Sequence, residues 1–458
     1  MEITTLKSKL GENNSAISGK KKELLDSFLS VRKMTFEILE PLEIEDYVVQ
    51  TDAFMSPPRW HVGHTTWFYE QLLKSYYPDF KPFHKDLAFY FNSYYLTYGK
   101  LFNKAKRGTI SRPTVKETFE YAEFINNQVI KFFEDERTQL TDEMIKNFLI
   151  GYNHEWQHQE LIVYDLQHLL ADDYKPVNMI ELPHKNGHIV KQEMIKIPEG
   201  MFMLGFDNKK FPDRFAYDIE MPAHKVFINK YSIDKYPVTN GHYLEFINAK
   251  GYEDFHYWLS DGWYWKNDNE IFAPLYWAKD DNGKWFKYDF RGKVFIDDIL
   301  NEPVTHISYF EADAFAKWAG KRLPTEAEWE KAASFNEDTG ENNLFPWGND
   351  DPDESKTNLL GFNIWKPVNV NFFEKGKSYY GCYGMIGDTW EWTSSEFMAY
   401  PGFKSGFAEY NDKWFSNQKV LRGGSFGTHY LSTKNTYRNF FKTHERWLIS
   451  GFRCVKDE

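Results

Sequence analysis

Two histidines stand four residues apart in the segment Asn153-His154-Glu155-Trp156-Gln157-His158-Gln159-Glu160. On a helix, residues four apart project from one face, one turn above the other, which lets two imidazoles grip one metal ion. Leu161, Asp165 and Leu169 carry that face onward. The face should therefore point into a core, where unpartnered imidazoles are costly. Taken alone, the pair fits equally well a structural pair bonded to carboxylates. Glu160, six positions after His154, lies about 120° round the helix and is a poor third ligand from the same element. Its alternative use is to orient a ligand from behind. The third ligand is expected from another helix, and Arg59-Trp60-His61-Val62-Gly63-His64 offers two choices. Three neutral imidazoles leave open positions on a metal, the mark of a catalytic site, and the lack of nearby cysteine disfavours structural zinc.

The elements that must position these side chains are helical. The pattern predicts a helix over 141–170, which carries the pair. Thr114-Val-Lys-Glu117 has the form of a capping box, and Val115, Phe119, Ala122, Ile125 and Val129 continue at helical spacing. Two further helices are predicted at 20–39 and 58–73, the second entered through Pro57-Pro58. Four amphipathic helices in sequence imply a four-helix bundle over 18–173, a scaffold that builds metal sites from inward-facing side chains. The connection from Tyr76 to Arg112 is expected to cover one end of it. Residues 174–190 read as a linker. From 191 to 458 the chain turns to short strand-like pieces, Gly- and aromatic-rich segments and one clear helix at Glu311–Gly320, a mixed α+β domain.

A net charge of −12 argues against nucleic acid as a partner, because phosphate neutralisation needs basic patches. No apolar run approaches a membrane span, and no signal peptide is evident. With only Cys382 and Cys454 there is no disulfide framework, and a cytoplasmic location is expected.

The motif His154-x-x-x-His158-x-Glu160, preceded by Trp60-His-x-x-His64-Thr-Thr-Trp-Phe-Tyr-Glu70, resembles the helical half of the ergothioneine-pathway sulfoxide synthases, a DinB-like four-helix bundle. The C-terminal half resembles the formylglycine-generating-enzyme (sulfatase-modifying factor) domain, a C-type-lectin-like fold. Its matching blocks are Ile197-Pro-Glu-Gly200, Tyr236-Pro-Val-Thr-Asn240, Lys321-Arg-Leu-Pro-Thr-Glu-Ala-Glu-Trp329, Pro346-Trp-Gly348, Gly387-Asp-Thr-Trp-Glu-Trp-Thr393, Leu421-Arg-Gly-Gly-Ser-Phe426 and Gly451-Phe-Arg-Cys454. Formylglycine generation itself relies on a reactive cysteine pair after the Arg-Gly-Gly-Ser block. No cysteine lies between Phe426 and Phe441 here, so that activity is not expected.

The resemblance implies iron(II) held by His64, His154 and His158, with His61 the lesser choice for the third ligand. It implies dioxygen as co-substrate and a sulfoxide product joining hercynine to a cysteine-type thiol. Gln157 matches a residue that bonds the substrate imidazole, and Asn439, Phe440 and Phe441 match the segment that receives its quaternary ammonium. Tyr94 and Tyr95 are the candidate acids. Relatives that use γ-glutamylcysteine place an acid where Phe441 stands and an arginine a few positions later; here Arg446 follows but the pairing is broken, so free cysteine is favoured, with Arg107 or Arg112 for its carboxylate. The alternatives are a 5-histidylcysteine (ovothiol-type) synthase, a selenoneine synthase, and a non-catalytic lectin-like binding module with a structural metal.

Overall fold

The chain's first long helix, α1, covers Gly19–Leu39, and α2, entered through Pro57 with Pro58 in its first turn, covers Pro58–Tyr76. A short α3 spans Leu87–Phe91, α4 spans Val115–Glu134 and α5 spans Asp142–Leu170. The structure, a computed structural model, describes residues 19–83, 87–93, 100–182, 189–406 and 412–458. The chain divides into two units. One runs to Leu170 and takes in Tyr174–Val177; the other takes Ala171–Asp173 and Asn178–Glu458. The residues read as a linker are thus shared between them.

In the first unit α1 and α2 each pack on both α4 and α5. The start of α4 is fixed by the capping box: the Thr114 side chain accepts from the Glu117 N–H at 3.1 Å, and the Glu117 carboxylate accepts from the Thr114 N–H at 2.7 Å. Every residue of α2 from Pro58 through Glu70 is buried, so its polar side chains must find partners inside. One buried arginine organises them. Arg32 of α1 donates to Glu155 of α5 at 2.9 Å, to Asn126 of α4 at 3.0 Å, and to Thr65 and Thr66 of α2 at 3.0 and 2.9 Å. Thr65 follows His64 and Glu155 follows His154, so the arginine sets the register of the two histidine-bearing turns. The face proposed for α5 holds in part: Asp165 is buried, whereas Leu161 and Leu169 are half-exposed.

In the second unit strand Tyr231–Asp234 pairs antiparallel with both Met194–Ile197 and Val455–Asp457. A four-stranded sheet runs Arg438–Phe441, Lys419–Arg422, Trp390–Glu396, Ser450–Gly451, the last pair parallel. The expected helix lies at Tyr309–Trp318, and this unit has three more among the described residues, Asn240–Asn248, Ser260–Asp268 and Glu326–Ser334. The sequence pattern makes only the helix at Tyr309–Trp318 clear. Each of the three is nine residues long, too short for periodicity to speak, although the Thr325/Glu328 capping box marks one of them.

Polar residues of the motif blocks meet in this core. Trp329 and Arg453 both donate to the Glu391 carboxylate, at 2.8 and 2.7 Å, and Arg422 pairs with Glu330. Cys382 and Cys454 are buried free thiols. No helix among the described residues is long and apolar enough to cross a membrane.

Candidate metal centre

His154 and His158 lie one turn apart on α5, and His64 reaches them from α2. One nitrogen of each of the three lies within 4.8 Å of the others, and all three rings are buried. The Nε2 atoms of His64 and His154 are 3.1 Å apart. Two nitrogens each roughly 2.1 Å from one ion at a right angle stand about 3 Å apart, so the spacing fits two adjacent ligands of a metal. The donor chemistry fits too. Burial holds His64 and His158 well below the usual imidazole range and brings His154 to about 3, which favours neutral rings, the form that binds a metal. Three imidazoles without thiolate suit a first-row metal such as iron, zinc, copper or nickel.

Two of the three rings, those of His64 and His158, are oriented from behind. The His64 Nδ1 meets the main-chain carbonyl of Phe91, the last residue of α3, at 2.5 Å. The carbonyls of a helix's last turn lack intrahelical partners and are open to such a bond. His158 Nδ1 meets His61 Nδ1 at 2.8 Å, and His61 Nε2 meets Asp165 Oδ2 at 2.9 Å. The backbone N–H of Ser56 donates to the same carboxylate oxygen at 3.1 Å, and Arg107 donates to Ser56 Oγ at 2.8 Å. The Arg107 guanidinium lies 3.3 Å from the centroid of the Trp60 ring, which in turn stacks on His64. Its burial lowers the arginine to about 9.

The structure separates several sequence candidates. Arg107 is buried against this cluster, whereas Arg112 is exposed and donates to the Ser111 carbonyl beside it. Glu160 accepts from Tyr164 at 2.5 Å. Gln157 is half-buried on α5 between the two histidines. Tyr94 and Tyr95 lie outside the described residues. In the second unit Asn439, Phe440 and Phe441 form the edge strand of the four-stranded sheet and are half-buried. Phe440 stacks on Phe397 with ring centroids 4.0 Å apart. Arg446 is committed to Glu311 at 3.1 Å and to the Ala273 carbonyl. Sequence reasoning missed the Phe91 carbonyl, which no residue type announces, and used Asp165 only as a marker of the inward face. Its carboxylate seven residues after His158, two turns on, was the available signal.

Residues 180–458 match the model of the family described as sulfatase-modifying factor enzyme 1-like domain. The hercynine oxygenase of Mycolicibacterium smegmatis is 35% identical over 318 residues, which cover 68% of this chain and 71% of that protein. The hercynine oxygenase of Mycobacterium tuberculosis is 36% identical over 259 residues, covering 56% of this chain and 59% of that protein, so the match spans less than two thirds of its length. Among solved structures, PvdO from Pseudomonas aeruginosa aligns with a TM-score of 0.39 at 20% identity, covering 58% of this chain and 94% of that one.

Proposed function

The chain belongs to the hercynine oxygenase family and contains a sulfatase-modifying factor enzyme 1-like domain, and from that membership we propose an iron(II)- and dioxygen-dependent sulfoxide synthase that joins hercynine to cysteine through a new carbon–sulfur bond. The observation that carries the reading is the buried cluster of three neutral imidazoles from two helices, which can hold an ion while leaving positions open for reactants. The atoms balance: one oxygen ends in the sulfoxide and the other leaves as water with the thiol and ring hydrogens. Iron(II) held by His64, His154 and His158 would supply a cation that favours the thiolate form of the sulfur substrate and electrons for dioxygen.

The chain's own side chains then bind and orient. Arg107 anchors the carboxylate of the thiol: it is buried beside the histidines, and its Nε has no partner among the described residues. Gln157 orients the imidazole. Asn439, Phe440 and Phe441 receive the trimethylammonium, with Tyr94 or Tyr95 delivering a proton to reduced oxygen. Free cysteine is favoured over γ-glutamylcysteine because Phe441 offers no charge and Arg446 is already paired with Glu311. The helical unit is DinB-like in this reading.

Anaerobic reconstitution with iron(II), followed by exposure to dioxygen with hercynine or histidine and with cysteine or γ-glutamylcysteine, tests the proposal by product mass. The hercynyl-cysteine sulfoxide is expected. Histidine consumed in preference would replace it with the ovothiol-type reading, and tightly held zinc with no turnover would support a binding module.

A further inference from the structure

The contacts behind His158 have a definite direction. Asp165 Oδ2 receives the backbone N–H of Ser56, a group that can only donate, so this oxygen acts as an acceptor. As a carboxylate the same oxygen can only accept from His61 Nε2, which then carries the proton of that bond. A neutral imidazole with its proton on Nε2 presents a lone pair at Nδ1. That lone pair faces His158 Nδ1 at 2.8 Å, and only a proton on the His158 nitrogen makes this contact a bond. His158 is then the Nδ1–H tautomer, with its Nε2 lone pair left for a cation. The reverse set of protons would place an N–H on His158 Nε2 and close it to metal.

We propose that His61, fixed by Asp165, is a positioning residue that locks His158 in the tautomer and ring orientation needed to bind the metal. The arrangement serves the same end as the Phe91 carbonyl behind His64, but uses a side-chain relay rather than a main-chain group. It also explains why a second histidine stands three residues before His64 in the part of α2 that is buried on all sides. His61 is a partner of a ligand and not a fourth ligand. The inference rests on the assignment of His64, His154 and His158 as the ligand set.

The test is metal binding by the apo full-length protein, read by equilibrium dialysis with iron(II) and by the visible absorption of cobalt(II). His61→Phe fills the space without an acceptor. His61→Asn leaves a smaller side chain whose carbonyl oxygen takes the place of Nδ1. If positioning is the role, His61→Phe still binds one ion per chain, roughly tenfold to a hundredfold more weakly, with an altered cobalt spectrum, and His61→Asn recovers most of the affinity. A packing role predicts the opposite order. Asp165→Leu, which removes the anchor without touching His61, should weaken binding in the same direction. Wild-type affinity and spectrum in His61→Phe, or in Asp165→Leu should the first variant not fold, overturn the proposal. Loss of the ion from His61→Phe as complete as from His64→Ala also overturns it, since His61 would then be a ligand. Absence of binding by the wild-type chain instead removes the underlying assignment of the metal site.

Discussion

The imidazole of His64 donates from Nδ1 to the main-chain carbonyl of Phe91, 27 residues further along the chain, at 2.5 Å. The bond depends on Gly63. A Cβ built there would lie 2.1 Å from the Phe91 ring, far inside contact distance. Gly63→Ala should push α3 away and release His64 from its orienting carbonyl. Iron(II) affinity is expected to fall about tenfold or more while the bundle stays helical by circular dichroism. Unchanged affinity would remove Phe91 from any role at the centre.

The proposed carboxylate anchor, Arg107, should separate two thiols. Cysteine carries a carboxylate and cysteamine does not, so only the first should gain from the guanidinium. A hydrogen bond between charged groups is worth on the order of 2 kcal/mol, so Arg107→Met should raise KM for cysteine roughly tenfold to a hundredfold. The KM for cysteamine should stay within about threefold of wild type. Arg112→Met, an exposed change, should alter neither. An equal loss with both thiols in Arg107→Met means that the arginine acts through packing on Trp60.

The tyrosines are tested through products. Phenylalanine at position 94 or 95 keeps the ring and removes the proton. Sulfoxide yield should fall and cysteine sulfinic acid should rise in at least one of the two variants, read by mass spectrometry. Identical product ratios in both variants exclude tyrosine as the donor.

A fourth prediction concerns Phe440, whose ring is already held flat against Phe397. A cation against a desolvated aromatic face gains on the order of 2 kcal/mol, so hercynine should be preferred over histidine roughly tenfold to a hundredfold in specificity. Phe440→Trp should widen the preference and Phe440→Ala narrow it. The check is competition between the two substrates in one tube; histidine winning would sink the hercynine assignment.

Asp388 gives the second unit a pH dependence. Burial raises its carboxyl to about 7, although Asn358 and the Val368 N–H both donate to it. The folded state thus holds a proton that the unfolded chain gives up near the ordinary carboxyl value of about 4. Between these values the folded form binds more protons, so this group's contribution to stability is full at low pH and is lost as pH rises toward 7. The loss amounts to on the order of a few kcal/mol. Asp388→Asn keeps an acceptor oxygen and tolerates the positive φ of 58° at this position. It should flatten the rise in Tm between pH 8 and pH 5; an unaltered slope would show that Asp388 does not titrate there.

Local order was legible in the sequence. The four-residue spacing of His154 and His158 places both on one face of any helix, whatever surrounds it. The Thr114/Glu117 capping box and the prolines before α2 mark helix starts by chemistry confined to a few residues. The motif blocks of the second unit announce the family because their arginines, glutamates and tryptophans must pair in its core, as Trp329, Glu391 and Arg453 do. The choice between His61 and His64 was different in kind. They are three residues apart and share a helix face, so helical periodicity cannot rank them. What places His64 with the α5 pair, and His61 behind it, is the register of α2 against α5. That register is set by Arg32 bonding across all four long helices, by Phe91 arriving over Gly63, and by Asp165 two turns beyond His158. Those partners are separated by tens of residues, and their contacts exist only once the helices have packed.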